Sequence, residues 1–373
     1  MIKFIFQSIF LLFTTYSVSF AQLTNDTIIK LDSISISADT IHKAVTEDLV
    51  SIIGVGDIML GTNFPDPKYL PPHEGENLMK PLYPILNDAT ISFGNLEGAF
   101  SDTLSVTKRC QDTANCYAFR SPDYLFKHIA NAGFDILSMA NNHSGDLGVP
   151  GRLNTIKQIE NADLSHVGLL EYPSIVIEKD GVKFGFCAFS PIVGTCDLND
   201  LVEAERIVKS LNERCDITVV SFHGGAEGSK YEHLTRETEM FLGENRGNVY
   251  EFARKMIDAG ADVIFGHGPH VLRAVDLYKD RFIIYSLGNF CTYSRMKISG
   301  INGLAPILKV FTNKKGEFKK ARVISCKQIK GLGTRLDEQE KAILKIKELT
   351  LNDIPEAKLN ISETGFITPL VKD

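Results

Sequence analysis

Three observations predict an α/β fold with largely parallel central strands. Six apolar runs recur along the chain, and each ends in a small polar cluster. Stretches with a single apolar helical face lie between several of these runs. Two further pairs of strand-like segments flank tight turn signals. Strands that alternate with helices indicate parallel pairing, and in such sheets ligands sit beyond the carboxyl ends of the strands. All six polar clusters are therefore expected to gather on one edge.

The chain has 373 residues and a net charge of −6. Met1 to Ala21 carries Lys3, an apolar segment from Phe4 to Phe13, and a small-residue site at Ser19-Phe20-Ala21. That pattern predicts a secretory signal peptide, because the apolar core is too short to span a membrane. No cysteine lies near the expected cleavage site, so a lipoprotein anchor is not indicated. The protein is expected to be exported, periplasmic or extracellular and associated with the cell envelope, with no transmembrane span after signal cleavage. Losing Lys3 leaves a mildly acidic chain, a poor partner for nucleic acid or an anionic membrane. Residues 22–48, rich in Ser, Thr and Asp, read as an N-terminal linker. Residues 49–330 form the expected domain, and 331–373 a C-terminal helix and tail.

The first run, Leu49 to Val55, leads into Gly56-Asp57-Ile58-Met59. Ile91-Ser92-Phe93 leads into Gly94-Asn95-Leu96-Glu97-Gly98. Phe134 to Ala140 leads into Asn141-Asn142-His143-Ser144-Gly145-Asp146. Ile217 to Phe222 leads into His223-Gly224-Gly225-Ala226-Glu227. Val263-Ile264-Phe265 leads into Gly266-His267-Gly268-Pro269-His270, and Phe282 to Tyr285 into Ser286-Leu287-Gly288-Asn289-Phe290. Helices are expected at Asp123–Ala132, Gly151–Asn161 and Asn248–Ala259, the second with Leu153, Ile156 and Ile159 on its apolar face. Asp337–Leu349 reads as a charged surface helix. Ser174–Glu178 with Val182–Phe189, and Ile307–Thr312 with Lys320–Ser325, are expected as hairpins in a mixed second sheet. Seven cysteines occur. The pair favoured for a disulfide is Cys110–Cys116, with Cys187–Cys196 second, since export permits such bonds.

Asp57, Glu97, Asn142, His223, His267 and His270 are the candidate metal ligands, and His143 the candidate catalytic residue. Each has an ordinary reading when taken singly, such as helix capping for Asp57 or turn bonding for Asn142. Recurrence at six strand ends, with four of the nine histidines among them, is what sets the group apart. Oxygen donors mixed with imidazoles suit one or two divalent ions, drawn from Mn, Fe, Zn or Mg. A carboxylate such as Glu97 can bridge two ions ~3.5–4 Å apart, and a bound water then becomes a nucleophile near neutral pH. His143, beside the ligand Asn142, is placed to protonate a leaving group. Asn95, Glu227 and Asn289, with Asp146, are assigned supporting or structural roles around the ligands.

The motifs Gly-Val-Gly-Asp-Ile-Met-Leu-Gly (54–61), Gly-Asn-Leu-Glu (94–97), Ala-Asn-Asn-His (140–143), Phe-His-Gly-Gly-Ala-Glu (222–227), Gly-His-Gly-Pro-His-Val (266–271) and Tyr-Ser-Leu-Gly-Asn-Phe (285–290) occur in that order. As an ordered set they resemble the CapA family of capsule or poly-γ-glutamate synthesis proteins, over about residues 48–295. That family is similar in turn to calcineurin-like metallophosphoesterases. The resemblance implies a four-layer αββα sandwich of the metallophosphoesterase-like type with a two-metal centre. It implies Asp57 in the first metal motif, Asn142-His143 in the Asn-His motif, His223 as the isolated histidine and His267 with His270 in the last. This chain departs from the pattern at Met59, where a histidine is usual, and at Gly224, where relatives often carry Trp. It departs again at Gly268, where some carry a further His. Asn95 aligns with the second motif about as well as Glu97 does. Two functions follow as expectations. One is an exported metal-dependent hydrolase acting on an anionic cell-envelope polymer. The other is a non-catalytic factor that binds or exports such a polymer, alone or with its synthesis machinery.

Overall fold

The structure is a computed structural model that describes residues 48–108 and 117–370. The expected signal peptide, the linker apart from Asp48, and the Cys110–Cys116 pair lie outside the described residues. In chain order come β1 (Val50–Met59), β2 (Ile91–Leu96), α1 (Phe126–Ala130), β3 (Ile136–Ser138), α2 (Gly148–Asn161) and β4 (Ser165–Val167). Then follow β5 (Ser174–Lys179), β6 (Val182–Phe189), α3 (Leu201–Asn212), β7 (Ile217–His223), α4 (Val249–Asp258) and β8 (Val263–His267). The chain continues through β9 (Val275–Tyr278), β10 (Arg281–Ile284), β11 (Asn289–Thr292), β12 (Ile307–Thr312) and β13 (Phe318–Ile324). It ends in α5 (Lys341–Asp353), β14 (Leu359–Ile361) and β15 (Phe366–Pro369).

These strands form a nine-stranded and a six-stranded sheet. One runs β14-β15-β13-β12-β1-β2-β3-β4, with β11 also paired to β1; the other runs β9-β10-β8-β7-β6-β5. Three of the six apolar runs form β1, β2 and β3 of the first sheet, pairing in parallel. The other three form β7, β8 and β10 of the second, also in parallel. The sheets stack face to face, with Phe93 of β2 lying on Phe186 of β6 at 5.9 Å and on Phe265 of β8 at 5.8 Å. One apolar core fills that interface. A second lies on the far side of the first sheet, where Ile156 and Ile159 of α2 meet Leu96 and Leu137. Helices α3 and α4 cover the far side of the second sheet through Val208, Leu211, Phe252 and Met256. The layer order is therefore αββα.

The hairpins correct one expectation. They do not build a separate mixed sheet. β5–β6 completes one edge of the second sheet, with β6 parallel to β7, while β12–β13 lies beside β1 in the first. Burial decides this: β6 and β12 are mostly buried, so each needs a sheet neighbour and a covered face. The C-terminal stretch is likewise more than a helix and tail. β15 pairs with β13, and α5 contacts both β13 and β9, one strand from each sheet. α5 starts four residues later than expected and buries Ala342, Ile343, Ile346 and Leu349. In α2 the buried residues are Gly151, Thr155, Ile156 and Ile159, while Leu153 is exposed. Cys187 and Cys196 are separate buried thiols, with the Cys196 thiol directed at the Leu169 carbonyl.

Helix α3 has a readable signal, with Asp200 as its N-cap and Ala204, Val208 and Leu211 on its inner face. α4 begins as expected at Asn248, whose side chain accepts from the Glu251 amide at 3.0 Å. Asn248→Ala is expected to lower stability by about 1 kcal/mol, the usual worth of an N-cap. Urea unfolding checks this, and an unchanged midpoint would contradict it.

Candidate metal centre

Backbone geometry delivers the donors. Gly56 has no room for a Cβ, because the Gly288 carbonyl lies where it would point. This closeness lets the Asp57 amide donate to Gly288 at 2.9 Å, fixing the end of β1 against the approach to β11. Glu97 follows β2 and is held by its amide bond to the Ile58 carbonyl at 3.0 Å. His223 and His267 end β7 and β8 as register partners in one parallel ladder. Gly268 then turns at a φ of +113°, and a Cβ there would meet the Gly224 carbonyl at 2.5 Å. A Cβ on Gly224 would in turn press on the Arg246 carbonyl at 2.9 Å. The two departures from the family pattern thus abut, and the turn at Gly268 has no room for a side chain against the Gly224 backbone. His270 adopts a left-handed φ of +56°, an uncommon state for a residue with a side chain. Its carbonyl is gripped by the amides of Asn289 and Asn302, each at 3.3 Å.

Strand ends from both sheets meet here. Asp57 Oδ2 lies 2.9 Å from His270 Nδ1, and Asp57 Oδ1 lies 3.3 Å from His267 Nδ1. Glu97 Oε1 lies 3.6 Å from His270 Nε2 and 3.9 Å from His143 Nε2. The rings of His223 and His270 are 6.1 Å apart. Asp57, Glu97 and His270 can each offer a ligand atom, all within 4.8 Å of one another. Both oxygens of the fully buried Glu97 lack a hydrogen bond among the described residues, as do His223 Nε2, His267 Nε2 and Asn142 Oδ1. Buried polar atoms are normally satisfied, and an isolated buried carboxylate is costly. Unpaired acceptors on Glu97, within 4.8 Å of donors from Asp57 and His270 and with imidazoles beside them, fit a cation. Met59, in the usual histidine position, is buried, and its sulfur accepts from the Gly61 amide at 3.3 Å.

Charge is poised for that cation. Burial raises the pKa of Asp57, but contacts with His267 and His270 outweigh it and hold the carboxyl below its usual range. Burial pushes Glu97 well up. Burial pulls on His270 too, yet Glu97 and Asp57 outweigh it and lift the imidazole to about 10. Burial drives His223 well down, so this imidazole is neutral and has a lone pair to offer.

His143 stands at the rim with its Nδ1 2.7 Å from Asp146 Oδ2. Burial lowers its pKa, against the pull of Asp146. Asp146 is itself anchored by the Phe119 amide at 2.7 Å and by Lys108 at 3.3 Å. Asn142 donates to Glu227 at 3.4 Å and leaves its oxygen unpaired. Asn95 donates to Asp57 at 2.8 Å, so it supports that carboxylate. Asn289 works on backbone carbonyls. Glu227 pairs with Arg246 at 2.9 Å and lies 3.9 Å from His270 Nε2.

Three participants escaped the sequence reading. Asn141, rather than Asn142, ties the third run to the second by donating to Asn95 and to the Leu96 carbonyl. Lys108 and Arg246 come from loops with no motif of their own. Only the pairing of Asn141 with its neighbour in the Asn-Asn-His cluster carried any signal.

A family profile described as "Bacterial capsule synthesis protein PGA_cap" matches residues 51–294. The chain is 30% identical over 255 residues to "Capsule biosynthesis protein CapA" of Bacillus anthracis, covering 63% of this chain and 58% of that one. It is 26% identical over 264 residues to "PGA biosynthesis protein CapA" of Bacillus subtilis, covering 66% and 64%. The match thus spans less than two thirds of either relative. Among solved structures, a putative 5'-nucleotidase from Staphylococcus aureus is similar at a TM-score of 0.42 and 15% identity, over 81% of this chain and 58% of that one.

Proposed function

Because the chain belongs to the PGA_cap family of bacterial capsule synthesis proteins, we propose that it is an exported metal-dependent hydrolase acting on an anionic cell-envelope polymer. The observation that carries this reading is Glu97: a buried carboxylate with no hydrogen-bond partner among the described residues, set among Asp57, His143 and His270. Asp57, Glu97, His223, His267 and His270, with Asn142 at the edge, are the residues that would hold one or two divalent ions. A bound cation supplies positive charge at the scissile group and makes water acidic enough to react near neutral pH. The chain's own contribution is to orient. Asn95 and His270 fix the Asp57 carboxylate, and Asp146 holds the His143 ring with its Nε2 toward the centre. No described helix is long and apolar enough to cross a membrane.

Buried Met59, in place of a histidine, favours the second reading, a polymer-binding factor of capsule assembly. Metal analysis of the purified chain, followed by metal-dependent hydrolysis of a phosphodiester or a γ-glutamyl peptide, separates the two. Stoichiometric metal with turnover supports the hydrolase. Failure to retain any metal at saturating supply would defeat it.

Loading should also depend on pH. His270, lifted to about 10, is protonated in the metal-free protein at neutral pH, and a cation must displace that proton. Glu97 is pushed up as well, so Mn²⁺ affinity is expected to rise by about tenfold per pH unit between pH 6 and 8 for each proton displaced from the two. Calorimetry in two buffers of different ionisation heat would show the released proton. An affinity that stays flat across this range would contradict the assigned charge state.

A further inference from the structure

Two clefts meet at the rim of the centre, beside His143 and Glu227. One has a volume of about 360 Å³ and the other about 460 Å³, and both are lined by Tyr117, His143, Glu227 and Phe241. From that shared strip the first continues past Lys108, Arg152 and Arg246. The second continues past Lys230, Arg295 and Lys297. Six cations along one groove stand out in a chain whose net charge is −6.

The guanidinium groups are built in but not satisfied. Arg246 is only 4% exposed and lies over the Phe241 ring, yet its Nη1 has no hydrogen-bond partner among the described residues. Arg152 donates through Nη2 to the Val193 carbonyl at 2.7 Å, and its Nε has no partner there. Arg295 is sandwiched between Tyr69 at 5.1 Å and Tyr117 at 4.5 Å, and its Nε is unpaired as well. It sits on a backbone with two successive left-handed residues, Ser294 at φ +59° and Arg295 at φ +61°. Lys108 is paired with Asp146, and Arg246 with both Glu227 and Glu244, so these two cations are already matched. Arg152, Lys230, Arg295 and Lys297 form no ion pair among the described residues. An unpaired guanidinium in a groove matches an anionic group that presents two oxygens.

We propose that Arg152 and Arg295 are specificity-determining contacts on the two arms of this groove. Each takes an anionic group of one linear chain, so that the Asp57–Glu97–His270 centre faces a bond inside the chain rather than at its end. Gripping the chain needs only the groove; cleaving it rests on the hydrolase reading above. Hydrolysis at that bond adds one water, the hydroxyl going to the acyl or phosphoryl side and the proton to the leaving atom. Carboxylate and phosphate repeats share the required chemistry.

The test uses the full metal-loaded protein, a γ-linked glutamate hexamer labelled at one end, the matching dimer, and a length-matched polyphosphate. The hexamer should bind at least tenfold more tightly than the dimer and should yield internal fragments. Arg152→Gln and Arg295→Gln should each weaken hexamer binding by about tenfold while leaving turnover of a small p-nitrophenyl phosphodiester unchanged. If polyphosphate binds better and shows the same losses, the groove stands and its repeats are phosphoryl. If neither variant weakens binding of either polyanion, or only terminal units are released, the inference is overturned. If no probe is hydrolysed but the length dependence and the losses persist, the hydrolase reading fails and the groove remains.

Discussion

His143→Ala is expected to slow hydrolysis of an alkyl phosphodiester by about 10²- to 10⁴-fold, the usual contribution of a positioned general acid. Metal content should not change, because His143 Nε2 stands 3.9 Å from Glu97 Oε1, and the imidazole is held at the rim by Asp146. The loss should be much smaller with a p-nitrophenyl ester, whose leaving group departs without help from an acid. Burial lowers the pKa of His143, so the protonated form is scarce at alkaline pH, and wild-type turnover of the alkyl ester should decline as pH rises. An equal loss for both esters would show that His143 binds rather than protonates. Unchanged turnover of the alkyl ester would remove it from the chemistry.

Glu239→Ala is expected to destabilise the fold by about 3–5 kcal/mol, the cost of leaving a buried charge without its partner. Arg273 has no exposed surface, and its two terminal nitrogens each meet a Glu239 oxygen at 2.7 Å. The same Arg273 donates to the Tyr231 carbonyl, and Glu239 accepts from the Ala226 amide at 2.8 Å. The pair therefore pins the loop that follows β7 and carries Glu227. Denaturant unfolding gives the stability change, and a loss under about 1 kcal/mol would show that water reaches the guanidinium. A double replacement, Glu239→Met with Arg273→Met, should recover much of the loss, since neither charge is then stranded.

The six strand endings were legible because each is local: an apolar run dictates a buried strand, and the glycine and polar residues after it dictate where that strand stops. Asp57, Glu97, His223, His267 and His270 could be named from that pattern alone. Lys108, Arg246 and the Arg273–Glu239 pair could not. They are single charged residues in loops, and nothing near them in the chain marks a buried side chain. The hairpins show the same limit from another side. The turn at Lys179-Asp180-Gly181 is written in the residues, but which sheet the hairpin joins depends on which strand has an open edge.

By itself, then, the sequence determined an α/β chain of strand-end donors, its family, and the residue types available to a cation, because periodicity and turn chemistry act over a few residues. Only the tertiary structure decided that three runs go to each of two stacked sheets, that Asp57 sits between His267 and His270, and that Arg152 and Arg295 end on different arms of one groove. Those outcomes depend on packing between segments as much as two hundred residues apart, where burial and close backbone contact select the partner and no local pattern records the choice.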